Sequence, residues 1–187
     1  VKAFDEDPGP DYDELGSDLT DGTGYFEIGP ITNSDPDDSG TLDVLVGWYA
    51  MSSARQVADA GDGSTFYIYD CYSPTQWDVP DGDRWFPESQ PGAYYPPAEE
   101  KRAWWVYYTL YDGWSYLAVS GWPAMEQSTV IWQSGHDATH TGCTASGSHY
   151  HPGGYIHLDG SGVSGAHAND PDVILHEYGH NSMYVAY

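Results

Sequence analysis

Short apolar segments separated by acidic, glycine-rich turns fill the first half of the chain, and this pattern constrains the fold more than any other feature of the sequence. The segments cover residues 1–4, 25–28, 42–46 and 65–69. Runs of this length suit strands, and no helical periodicity connects them. Residues 1–90 are therefore predicted to form a β-sandwich domain.

The turns of this first domain hold many of its carboxylates. Calcium takes about six to eight oxygen ligands, which acidic loops can supply without strict geometry. The spacing does not match an EF-hand loop, so a solvated acidic surface is the alternative. The candidate calcium ligands are Asp5, Asp7, Asp11, Asp13 and Asp21.

The same stretch also has a family likeness. It is carried by Asp5-Glu6-Asp7, Asp13-Glu14-Leu15-Gly16 and Thr20-Asp21-Gly22-Thr23-Gly24-Tyr25-Phe26. These residues resemble the transthyretin-like or carboxypeptidase-regulatory-like sandwich, in which an acidic strand end precedes a Thr-Asp-x-x-Gly-x-Phe turn and strand. The resemblance implies an accessory domain without catalytic residues.

The charge of the chain limits its partners. Asp and Glu number 29 against five Lys and Arg, a formal net charge of -24. This composition excludes nucleic acid and anionic membrane surfaces as expected partners, because both require basic residues. No apolar run is long enough to span a bilayer, so no membrane insertion is expected. Bound calcium and adaptation to solubility or high salt are two explanations for the acids.

The second half of the chain mixes helical and strand patterns. Four prolines between residues 82 and 98 mark a linker. A helix is predicted over 99–117, and strands are predicted at 129–132 and 155–158. The expected fold class is thus α+β, with a second domain over residues 91–187.

A further helix is predicted at the end of the sequence. Asp170 can cap the free N–H groups, Pro171 suits the first helical position, and Asp172 complements the helix dipole. His176 and His180 are four residues apart, so a helix places both imidazoles on one face, where they can occupy two corners of a zinc tetrahedron. Glu177 beside them can accept a proton from water that zinc activates. A histidine-rich helix face without metal is the alternative.

The segment from Asp172 to Asn181, with His176-Glu177-Tyr178-Gly179-His180 at its centre, resembles the zincin metallopeptidases. The resemblance implies that His176 and His180 bind zinc, that Glu177 is the general base, and that strands 129–132 and 155–158 precede the active helix in the sheet. The substrate would be a peptide or protein. Gly179 is expected to keep the turn between the ligands narrow.

A third zinc ligand is missing from the motif. A catalytic zinc needs three protein ligands, and no acid or histidine follows His180. We expect a fragment of a longer peptidase whose third ligand is a downstream glutamate. The alternative is an extracellular structural or self-assembling module with an incomplete zincin remnant. A calcium-dependent carbohydrate binder is a third possibility, because 17 Tyr and 8 Trp suit sugar-binding surfaces as well as core packing.

The remaining cysteines and histidines add two expectations. Cys71 and Cys143 form an even pair, which predicts a disulfide and a secreted protein, with two buried thiols as the alternative. The chain starts at Val1 without a signal peptide, so a mature or trimmed product is expected. Six more histidines are candidates for a substitute ligand or second metal site, with surface positions as the alternative. They are His136, His140, His149, His151, His157 and His167.

Overall fold

A computed structural model of the chain describes residues 1–6, 12–21, 25–35, 40–59, 68–84, 86, 90–91, 97–122, 127–135, 147–151, 154–161 and 166–186. The strands are β1 (Lys2–Glu6), β2 (Tyr12–Ser17), β3 (Val44–Tyr49), β4 (Arg55–Ala58), β5 (Asp70–Tyr72), β6 (Gln90–Pro91), β7 (Ser128–Ile131), β8 (His149–His151) and β9 (Tyr155–His157). The helices are α1 (Pro97–Val119) and α2 (Pro171–Ala186), with a short 3₁₀ helix at Ala166–Asn169 before α2. The predicted α+β class is confirmed.

The chain divides into two compact units, each made from two segments. Unit 1 comprises Val1–Tyr49 and Asp70–Tyr94. Its strands form a five-stranded antiparallel sheet in the order β2-β1-β3-β5-β6. The sandwich and the transthyretin-like architecture remain predictions for this unit.

The strand predictions for unit 1 hold only in part. β1 and β3 appear near the segments predicted at 1–4 and 42–46. The predicted strand at 25–28 is wrong, because these residues form no strand. Carboxylates bind their backbone instead: Tyr25 N–H donates to Asp21 at 3.0 Å, and Glu27 N–H donates to Asp18 at 2.8 Å. Such side-chain acceptors compete with a strand ladder for the same donors. Most of the segment predicted at 65–69 lies outside the described residues.

Unit 2 comprises Ala50–Tyr69 and Tyr95–Tyr187. Its sheet has the order β4-β7-β9-β8, in which β4, β7 and β9 are parallel and β8 is the antiparallel edge strand. Parallel neighbours need a crossover, and the chain from β4 to β7 passes through β5 and β6 of unit 1 and then through α1. Residues 50–69, which the sequence placed in the first domain, belong to unit 2 because β4 pairs with β7.

The core of unit 2 lies between this sheet and the helices. Ala103, Val106 and Leu110 on one face of α1 are fully buried, at the three- and four-residue spacing of a helix. They pack with Val130 and Ile156 from the sheet. The helix predicted at 99–117 and the strands predicted at 129–132 and 155–158 are confirmed to within a few residues.

No helix within the described ranges is long and apolar enough to cross a membrane.

Candidate functional site

The start of α2 follows from the residues that precede it. Asp170 Oδ1 accepts hydrogen bonds from the N–H groups of Asp172 at 3.0 Å and Val173 at 3.4 Å. These are two of the donors that the first turn of a helix leaves without partners. Pro171 occupies the first helical position, as predicted. The cap therefore fixes the helical register of the residues that follow it.

One side of α2 is buried and the other carries the histidines. Ile174, Tyr178 and Asn181 are buried, and the Asn181 side-chain amide donates to Ser128 Oγ at the start of β7. His176 and His180 lie on the exposed side. The packing thus anchors the helix through one face while the two imidazoles remain accessible to solvent.

The two imidazoles converge. Nε2 of His176 lies 3.1 Å from Nε2 of His180, and the ring centroids are 4.7 Å apart with nearly perpendicular planes. Two nitrogens bound to one tetrahedral zinc at about 2.0–2.1 Å lie roughly 3.3 Å apart. The observed separation is close to that value. It is also compatible with a single hydrogen bond between the rings, in which one Nε2 carries the proton.

Glu177 lies at the floor of an open cleft beside the histidine pair. Its side chain is 8% exposed, although it neighbours the accessible His176. The cleft has a volume of about 440 Å³. Its lining residues are Gly147, Ser148, His167, Asp172, Val173, His176 and Glu177. A carboxylate and an imidazole therefore face the same concave space.

No protein-family model, curated protein or solved structure matches this chain. Among the described residues, no third His, Cys, Asp or Glu joins His176 and His180 in a group that could hold a metal. The part of the chain that the structure describes therefore offers two candidate ligands, and their binding of zinc remains a prediction.

His167 was predicted as one of six candidates for a substitute ligand or second metal site, and no role was predicted for Ser148. His167 Nδ1 lies 2.7 Å from Ser148 Oγ, and Ser148 Oγ accepts a hydrogen bond from Asp159 N–H at 2.9 Å. Both side chains line the cleft with Glu177. Residues 19 positions apart meet here because β8 and β9 lead the chain back to the start of α2, and no local sequence pattern signals such a meeting.

The other described histidines are not among the residues that line the cleft. His149 and His157 pair across β8 and β9, with ring centroids 5.2 Å apart and planes 11° apart. His157 is buried, and His151 ends β8. His136 and His140 lie outside the described residues. A second metal site among these residues remains a prediction.

The candidate calcium ligands are distributed over β1, β2 and the following turn. Asp5 is buried on β1 and pairs in register with the exposed Asp13 on β2. Asp21 is exposed, and its Oδ1 accepts the Tyr25 N–H. Asp7 and Asp11 lie outside the described residues.

The electrostatic surroundings of Asp5 include acids that the sequence analysis did not assign to the calcium site. Burial, together with repulsion from Asp35, Asp43 and Asp13, raises the pKa of the Asp5 carboxyl, while a hydrogen bond from Asp43 N–H at 2.8 Å opposes the rise. A cation beside Asp5 would relieve this repulsion. Calcium at this position remains a prediction.

Cys71 is buried on β5 of unit 1. Cys143 lies outside the described residues. The predicted disulfide, and with it the predicted secretion, remains a prediction.

Proposed function

We propose that this chain is a zinc metallopeptidase in which His176 and His180 bind the metal and Glu177 is the general base. The observation that carries the proposal is the convergence of two imidazole Nε2 atoms, 3.1 Å apart, next to a buried carboxylate in a cleft. The position of strands β7 and β9 before α2 agrees with the order of elements expected from the zincin resemblance. The zincin-type domain remains part of the proposal.

The donor set suits zinc. Imidazole nitrogen is a common zinc ligand, and it also accepts copper, iron and nickel, so the donors alone do not select the metal. Zinc follows from the combination of two histidines one turn apart with a carboxylate that is free to act as a base. The formal net charge of -24 also favours uptake of a divalent cation. The third ligand is expected outside the described residues.

The proposed chemistry is peptide-bond hydrolysis. Bound zinc would supply Lewis-acid polarisation and lower the pKa of a coordinated water towards neutrality. Glu177 then accepts a proton as the water oxygen bonds to the peptide carbonyl carbon. The same carboxyl group can pass that proton to the amine nitrogen as the C–N bond breaks. Because the Glu177 side chain is buried, few bulk water molecules can form hydrogen bonds with its carboxylate.

The experiment separates metal ligands from the base. Zinc affinity is measured by competition with a chromophoric chelator, and peptide cleavage is followed at saturating zinc. His176→Ala and His180→Ala should each weaken zinc binding at least about tenfold, because each removes one of two described ligands. Glu177→Gln should retain zinc affinity and lose about 100-fold or more in kcat, because an amide cannot accept the proton.

The matched control is Glu27→Gln, which makes the same change at an exposed glutamate of unit 1. It should bind zinc and cleave peptide like the wild type. Unchanged zinc affinity in both histidine variants would refute the metal site. Loss of zinc binding in Glu177→Gln would show that Glu177 is a ligand instead of the base.

A second candidate function is self-association of a structural module. Trp105, Tyr108 and Tyr111 lie along α1 with more than two-fifths of each side chain exposed. Their neighbouring rings lie 6.4 and 6.5 Å apart. Exposed aromatic rows of this kind favour protein contacts. Sedimentation of the wild type and Tyr108→Asp tests this candidate: a wild type that is monomeric at all concentrations rejects it.

A further inference from the structure

The cleft contains one more group whose chemistry the surrounding contacts define. His167 stands immediately before α2 in the short 3₁₀ helix, and its backbone carbonyl accepts the N–H of Asp170, the cap of α2. Its ring is tied to Ser148 by the 2.7 Å contact between Nδ1 and Oγ. Hydrogen bonds therefore hold His167 at its backbone carbonyl and at one ring nitrogen.

The hydrogen bonds around Ser148 favour one of the two tautomers of His167. Asp159 N–H can only donate, so it occupies one lone pair of Ser148 Oγ. Within the described part of the chain, His167 Nδ1 is the only acceptor in hydrogen-bond distance of the Ser148 hydroxyl proton. If Ser148 donates to Nδ1, its hydroxyl proton has a protein acceptor and the ring proton of neutral His167 is on Nε2; in the reverse arrangement Nδ1–H donates to the second lone pair of Oγ and the hydroxyl proton is left to solvent. We infer the first arrangement, because it pairs both polar hydrogens of the Ser148 contact within the protein. This leaves an N–H donor on the ring edge opposite Ser148.

We propose that His167 is a hydrogen-bond donor to the carbonyl oxygen of a bound peptide, and that Ser148 positions it by fixing the Nε2–H tautomer. This inference rests on the proposed function, since His167 lines the same cleft as His176 and Glu177. Its acceptor is an amide oxygen, which develops negative charge during hydrolysis.

His167 acts while water attacks the carbonyl group of the peptide bond. The water oxygen forms a bond to the carbonyl carbon, the π pair of the C=O bond moves onto the carbonyl oxygen, and the proton of the water passes to Glu177. The carbonyl oxygen becomes an oxyanion, and His167 Nε2–H donates to it without giving up its proton. A donor fixed in advance stabilises the oxyanion more than the original carbonyl, so it raises kcat more than it lowers KM.

Kinetics provide the first test. His167→Ala should lower kcat about 100-fold with a much smaller change in KM, and His167→Gln, which keeps an N–H donor, should recover part of the loss. Ser148→Ala should lower kcat by a smaller factor and Ser148→Thr should restore it. Ser120→Ala, the same change at an exposed serine after α1, should behave as the wild type. Equal kcat in His167→Ala and the wild type would overturn the inference.

Imidazole ¹⁵N spectra of the metal-free chain provide a test that needs no activity. The expected result is the Nε2–H tautomer at His167 in the wild type and a tautomer mixture in Ser148→Ala. Titration with N-acetyl-alanyl-alanine amide should shift the His167 Nε2–H resonance in the wild type only. An Nδ1–H tautomer, or no shift, would overturn the inference.

The two proposals can fail separately. A chain that binds the peptide through His167 and takes up no zinc would refute the proposed function alone. A zinc-loaded, active chain in which His167→Ala is as fast as the wild type would refute the donor role alone.

Discussion

Two glycines inside helices of unit 2 differ in what surrounds them, and this difference can be measured. Gly113 lies in α1, and a Cβ added there would lie 2.8 Å from Leu175 Cδ2 and 3.1 Å from Tyr178 Cδ1 on α2. Gly179 lies in α2 between Glu177 and His180, and a Cβ added there would meet nothing within 4 Å. The missing side chain at Gly113 therefore allows the close approach of α1 to α2.

The effect of alanine at each position is the sum of two opposing contributions to the free energy of unfolding. Alanine stabilises a helix interior by about 0.8–1.0 kcal/mol relative to glycine, so Gly179→Ala should raise the free energy of unfolding of unit 2 by about that amount. Gly113→Ala has the same gain, but overpacking costs about 1–3 kcal/mol. The end of the Leu175 side chain is partly exposed and can turn aside, whereas the Tyr178 ring is buried, so the cost should lie in the lower part of this range. We therefore expect Gly113→Ala to lower the free energy of unfolding by up to about 1 kcal/mol.

Urea unfolding, followed by circular dichroism of the helices, measures both variants. With a slope of about 1–3 kcal/mol per molar urea, the two midpoints should differ by roughly 1 M, with Gly179→Ala the higher. Zinc affinity is a second measurement. A shift of Leu175 in Gly113→Ala should displace the adjoining His176, and zinc affinity should change as a result. A midpoint for Gly113→Ala equal to or above that of Gly179→Ala would show that α1 does not approach α2 at this point.

Four further predictions concern single features. Asp170→Ala should lower the free energy of unfolding by about 1 kcal/mol, because it removes the cap of α2; an unchanged urea midpoint would contradict the cap. Asp5→Asn should raise the melting temperature at neutral pH. Because the pKa of Asp5 is raised in the folded state, the stability that its neutral carboxyl group contributes is fully present below the ordinary pKa and is lost as pH rises through the folded-state pKa. Asparagine does not ionise, so the variant avoids this loss. A lower melting temperature for Asp5→Asn at neutral pH would count against this reasoning. Chelation of calcium should lower the melting temperature of the wild type if the acidic turns bind the ion, and no change would reject the site. Cys71 and Cys143, if joined, close a loop that stabilises the fold by roughly 4 kcal/mol, and titration of two thiols in the unfolded, unreduced chain would exclude the bond.

The accurate sequence predictions concern structure that local residues determine. Asp170, Pro171 and Asp172 specify the start of α2 through contacts within one turn, so the helix, and with it the four-residue spacing of His176 and His180, was predictable. α1 was predictable for the same reason, since its buried residues repeat at helical spacing.

The inaccurate or missing predictions depend on partners outside the segment itself. Residues 25–28 have strand-forming composition, yet Asp18 and Asp21 bind their amides. β4 lacks an alternating pattern because its residues are mostly buried, and its place in the sheet depends on pairing with β7, more than seventy positions later. The contact of Ser148 with His167 likewise depends on how the chain returns through β8 and β9.

The two-segment construction of each unit has a consequence for biosynthesis. During synthesis on a ribosome, β4 emerges long before its parallel neighbour β7. The strands β3 and β5 of unit 1, which lie on either side of β4 in the sequence, can pair with each other while β4 is still unpaired with β7. A chain cut at the proline-rich linker near residue 90 would retain β4 with the edge that pairs with β7 open. Such an edge can recruit other chains, so the amino-terminal half produced by itself should precipitate more readily than the whole chain.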